Sequence, residues 1–172
     1  MNPHNWFVVS FCAIATFLSV SYGWLVKQGK LPFNSVMAYN EPEQQFIKVW
    51  AKIALLVGVI VPIVMWIVFW EQPVLRTFFS YYLLVVAVQL ASEISFSRIY
   101  VKSVVVFIGT LYTGFRLWQL WAGLHSFNYP QPWLGLLWLV FIFWVANIIM
   151  LTFMAIPSIL PKSTVPRLEK AE

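Results

Sequence analysis

Four polar side chains sit where chemistry inside a membrane would have to happen. Gln89 and Glu93 are four residues apart in an apolar run that begins at Pro73. Arg116 and Gln119 are three apart in the run that ends at His125. Spacings of three and four put each pair on one helix face. An intramembrane carboxylate can carry a proton, hold a cation or act as general acid/base. A guanidinium at such a depth can hold a polar head group, stack on a ring or snorkel to the surface. Glu93 is therefore the one catalytic candidate in the chain.

The stripes extend beyond these four. Tyr82, Gln89, Glu93 and Ser97 recur at spacings that share one face, and so do Gly109, Tyr112, Arg116, Gln119 and Gly123. Only the short segment 98–102 separates the two runs, so their helices must be antiparallel neighbours with the stripes able to face each other. The expected binding stripe is Tyr82, Gln89, Glu93, Tyr112, Arg116 and Gln119, with Asn147 joining from the last run. At 1.5 Å rise per residue, Glu93 lies about 8 Å from the inner end of its helix and Arg116 about 21 Å above that level. A direct Glu93–Arg116 ion pair would need a large offset between the helices. The plainer reading of Glu93 is a hydrogen-bonded carboxylate near the inner interface, and of Gln89 and Asn147, interhelical hydrogen bonds. The pair Gly109 and Thr113, with Gly114, reads as packing chemistry that lets helices approach closely.

Other chemistry is thinly represented. His4, His125 and Glu71 fall on one face by topology and are the candidate metal ligands, without any spaced ligand motif behind them. Aspartate is absent, which excludes a Ser-His-Asp arrangement, and no phosphate loop is present. The single cysteine, Cys12, sits in an apolar run and reads as a small buried hydrophobe.

These residues need a scaffold that lipid, not water, solvates. Of 172 residues 61% are hydrophobic and 10% charged, with a mean hydropathy of +0.79. A soluble domain carries about 25% charged residues, so lipid must solvate much of this chain. Aromatic residues make up 19%, including 10 Trp, which suits membrane interfaces. The fold class expected is an all-α integral membrane protein, one domain over 1–172. Its five transmembrane helices fall near 6–26, 41–70, 73–97, 102–124 and 133–156, followed by a polar tail, 157–172. No Lys or Arg precedes the first run, so it reads as a retained helix rather than a secretory signal. Asn40, Pro42 and Glu43 form a helix start; Pro62 removes a hydrogen bond to the Gly58 carbonyl and should kink the second helix; Pro157 and Pro161 should end the fifth.

Charge sets the orientation. Five spans put Lys27, Lys30, Lys48, Lys52, Arg98, Lys102, Lys162, Arg167 and Lys170 on one side and only Arg76 on the other. That asymmetry predicts the N-terminus outside and the C-terminus cytoplasmic. The net charge of +5 belongs to this asymmetry and to anionic lipid, and no nucleic-acid partner is expected. A bacterial-type inner membrane and an organellar or thylakoid membrane fit equally. The expected partners are the bilayer, other membrane subunits or further copies of the chain, and a lipophilic small molecule; the residues single out no cofactor. The function classes, in order, are an accessory or assembly subunit or a binder of a lipophilic ligand, then an intramembrane enzyme on a lipid or isoprenoid using Glu93 and Arg116, then an oligomeric transporter protomer.

Overall fold

The computed structural model describes residues 3–161, with side chains from residue 6 onward. Every regular element among the described residues is helical: α1 (Pro3–Lys27), α2 (Glu41–Leu55), α3 (Val61–Val68), α4 (Pro73–Ile99), α5 (Val104–Ser126), α6 (Trp133–Met150) and α7 (Ile156–Ile159). Two π-helical stretches, Leu56–Ile60 and Leu151–Ala155, join α2 to α3 and α6 to α7. The described residues thus make five rods. Four are long and apolar enough to cross a membrane: Trp6–Lys27, Glu41–Val68, Pro73–Ile99 and Trp133–Ile159. The remaining rod, α5, carries Arg116, Gln119 and two threonines, which dilute its apolar character.

The second rod starts as its sequence requires. The Asn40 side chain accepts from the Glu43 amide at 2.9 Å, and the Glu43 carboxylate accepts from the Asn40 amide at 2.9 Å. This reciprocal cap satisfies two amides that the first turn leaves without partners. Both π stretches lie immediately before a proline turn, at Pro62 and Pro157. A proline cannot donate to the carbonyl four residues back, so the ladder widens there rather than breaking. The expected stop at Pro157 is therefore corrected: the helix passes through it to Ile159. The tail cations Lys162, Arg167 and Lys170 lie outside the described residues.

Rod ends gather by side. The Lys27 ammonium donates to the Ile99 carbonyl at 3.0 Å, tying the end of α1 to the end of α4. The connection after α1 lies against α7, with the Asn34 and Ala38 amides donating to the Ile159 and Ser158 carbonyls. The Ser103 amide donates to the Ser35 carbonyl in the same layer. Lys27, Lys30, Arg98 and Lys102 thus lie at one end of the bundle. At the opposite end Tyr129 packs against Phe69 and Phe79, and burial pushes its hydroxyl pKa up.

Helix α5 is the centre. It packs against α1, α4 and α6, and eleven of its 23 residues are buried. One apolar cluster joins α3, α4 and α6 around Met65, Phe79, Tyr82 and Leu137; another joins α1, α4 and α5 around Val85, Ile108 and Tyr112. The glycines that allow close approach are not those expected. Gly114 faces open space, and a Cβ on Gly109 would sit at an ordinary 3.7 Å from Leu151. A Cβ on Gly58 would instead lie 2.4 Å from the Trp144 ring, and one on Gly123 2.4 Å from Phe78.

Candidate functional site

The five α5 stripe positions, Gly109, Tyr112, Arg116, Gln119 and Gly123, are all buried, and α4 turns Tyr82 and Gln89 into the same layer. The short turn makes α4 and α5 antiparallel neighbours, and their polar side chains find hydrogen-bond partners only inside the bundle, so the stripes face each other. Gln89 is the hinge of the polar contacts. Its Oε1 accepts from Arg116 Nη2, and its Nε2 donates to Glu93 Oε1. A carboxamide is suited to this: its oxygen meets the cation and its NH2 meets the carboxylate. The depth gap between Glu93 and Arg116 is thereby closed without a direct pair, since Gln89 stands one turn, about 6 Å, nearer the guanidinium.

Arg116 is 2% exposed and runs inward. Its guanidinium carbon lies 4.3 Å from the Trp144 ring centre and 6.0 Å from that of Tyr82. It is thus held by aromatic faces and one amide rather than by a head group at the surface. Trp144 was not legible as part of the site. Its indole N–H donates to the Tyr82 hydroxyl at 2.8 Å, and that hydroxyl donates to the Gly58 carbonyl at 2.9 Å. Gly58 is the residue whose carbonyl Pro62 leaves without a backbone donor, so Tyr82 supplies from α4 what the proline withholds. The missed signal was available: Leu137, Val140, Trp144 and Asn147 recur at three and four and are all buried.

Asn147 lies on the next turn of α6. Its Nδ2 donates to the Thr113 hydroxyl at 2.9 Å, and its Oδ1 accepts from the Trp50 indole at 2.7 Å. It joins α6 to α5 and α2 through these two bonds. Tyr112 is fully buried, with its ring edge-on to Phe11 of α1. Among the described residues, no three His, Cys, Asp or Glu side chains come together. Glu71 is exposed, and His125 Nδ1 sits 2.9 Å from the Trp121 carbonyl one turn back. The His4 side chain lies outside the described residues.

Tyr112 and Arg116 each keep one buried polar atom without a hydrogen-bond partner, and so does Gln119, but of the three only Gln119 lines a cleft. Gln119 is 5% exposed, its Oε1 has no hydrogen-bond partner, and the cleft it lines measures about 360 Å³. The cleft opens between the start of α4 (Pro73, Val74, Thr77, Phe78, Tyr81) and the end of α5 (Trp118, Gln119, Ala122, Gly123, Ser126), with Val8 of α1 at its side. Gly123 makes room there for the Phe78 ring. Neither Glu93 nor Arg116 lines it. No family model, curated protein or solved structure matches this chain.

Proposed function

We propose that this protein is a five-span membrane protein that binds a lipophilic small molecule in the cleft between α4 and α5. The observation that carries the reading is the cleft itself: about 360 Å³, largely apolar, walled by two helices of the polar hairpin. That volume lies at the low end of small-molecule sites, which run about 300–1,000 Å³. The expected binding residues divide on this reading. Gln119 contributes to the site directly, whereas Arg116, Gln89, Glu93, Tyr82 and Asn147 hold the helices that form it. Tyr112 packs α1 against them. The enzyme reading needs Glu93 and Arg116 to open into one cavity, and the cleft walls contain neither.

The topology within this proposal has α5 as a span, the N-terminus outside and the C-terminus cytoplasmic. Its support is the gathering of Lys27, Lys30, Arg98 and Lys102 at one end of the bundle, the end that would face the cytoplasm. Reporter fusions check it: a fusion after Glu172 should be cytoplasmic and a tag before Met1 external. Both ends on one side would refute it.

Native mass spectrometry of the protein released from mild detergent tests the ligand. The wild-type should carry an additional small mass that Ala122→Phe, which fills the cleft, loses while keeping its helical content. A mass that persists in Ala122→Phe would place the molecule elsewhere. The accessory-subunit reading draws on α2, none of whose 15 residues is buried, which leaves a long flank free for other chains. A co-purified polypeptide in place of a small mass would favour that reading.

A further inference from the structure

An apolar cleft explains why a lipophile would enter. It does not explain Gln119. A buried carboxamide oxygen with no donor destabilises the fold, whereas leucine would fill similar space at no such cost. The group sits seven residues before Ser126, the last residue of α5, so it lies about 10 Å below the helix end. The cleft therefore has a polar contact at depth and an apolar wall above it. That order is the reverse of what a phospholipid presents, since its polar groups stay at the rim and its chains go deep.

The wall is also unusual in kind. Phe78, Tyr81, Trp118 and Phe127 all line it. Three of these rings are held by other rings: Phe78 against Phe127 at 5.6 Å, and Trp118 against Phe7 at 5.0 Å and Phe115 at 5.3 Å. Such buttressed rings present flat or edge-on surfaces suited to another ring. The two arginines nearby in sequence are turned elsewhere, Arg116 to Trp144 and Gln89 and Arg76 to Trp70, and neither lines the cleft, which offers neutral hydrogen bonding only.

We propose that the cleft takes a ring-headed lipid, with a carbonyl or hydroxyl on its flat head hydrogen-bonded to the Gln119 carboxamide and its tail left in the bilayer. The proposal rests on the cleft being the ligand site. Rotation about the last side-chain torsion of Gln119 presents either its NH2 or its oxygen, so the one residue serves a ring carbonyl or a ring hydroxyl. A charged head is disfavoured because nothing in the cleft wall would pair it.

Two probes with the same tail on a flat six-membered carbon ring, one with ring carbonyls and one without, test this: 2-decyl-1,4-benzoquinone and decylbenzene, each equilibrated with the full chain in nanodiscs. The wild-type should hold the quinone about tenfold more tightly, the factor one added hydrogen bond supplies. Gln119→Leu should bring the two affinities together by weakening the quinone alone, and should melt no lower than wild-type without ligand. Gln119→Met, unbranched like glutamine, should repeat the collapse. Equal binding of both probes by the wild-type overturns the polar-head proposal while leaving the cleft as a lipophile site. A quinone preference that survives either substitution overturns it too. Binding of neither probe overturns it together with the cleft reading on which it rests.

Discussion

The central helix and the second rod are built in opposite ways. The rod Glu41–Val68 is a strongly apolar span, yet only 17% of its most apolar window is buried. Helix α5 carries an arginine, a glutamine and two threonines, yet eleven of its 23 residues are buried. In water this would be inverted. In lipid the surroundings are as apolar as any side chain, so apolar residues gain little by moving inward. Polar residues gain a great deal, because only the interior offers hydrogen bonds. The contrast teaches that burial in this fold follows polarity. The residues that hold it together are those a hydropathy scan counts against it.

Three substitutions put that contrast at risk, each followed by unfolding of the protein in micelles. Arg116→Met should cost most, about 3 kcal/mol, because the Glu93 carboxylate then keeps only the Gln89 amide. Adding Glu93→Gln to it should recover much of the loss; a double variant as weak as the single would show that the two charges are not coupled through Gln89. Tyr82→Phe comes next, at roughly 1–3 kcal/mol, since it leaves the Gly58 carbonyl without a donor and the Trp144 indole without an acceptor. Leu56→Ala should change stability by no more than about 0.5 kcal/mol, because that side chain is 59% exposed to the lipid side. A Leu56→Ala loss as large as that of Tyr82→Phe would mean the second rod is packed as tightly as the centre, and the contrast would fail.

How much of this was legible beforehand follows the same division. The α5 stripe was readable because a period of 3.6 survives in any solvent, and all five of its positions are buried. The start at Asn40 and the gap at Pro62 were readable because caps and prolines act locally. The partner that fills the gap was not, since nothing near Gly58 in the chain points to Tyr82, 24 residues on. Trp144 was hidden for a different reason. It lies in α6, which is apolar on nearly every face, and only Asn147, three residues on, marks the face that Trp144 shares. The cleft was hidden because it exists only where α1, α4 and α5 diverge. Gln119 and Arg116 looked alike as neighbours on one stripe, and only the packing separates the arginine, whose guanidinium meets Gln89 and the Trp144 ring, from the glutamine, whose oxygen meets no donor.

The π stretch at Leu56–Ile60 has a geometric consequence of its own. A wide turn takes one more residue than an α turn, and each α residue advances the chain by about 100° of rotation. Everything beyond the stretch is therefore out of phase with everything before it. Trp50 on one side reaches Asn147, while Met65 and Phe69 on the other enter the core. The rod is in effect two short helices with independent rotational settings, spliced so that each half can present its own best side to α6 and α4. A helical wheel drawn across the whole rod superimposes two patterns that the molecule keeps apart.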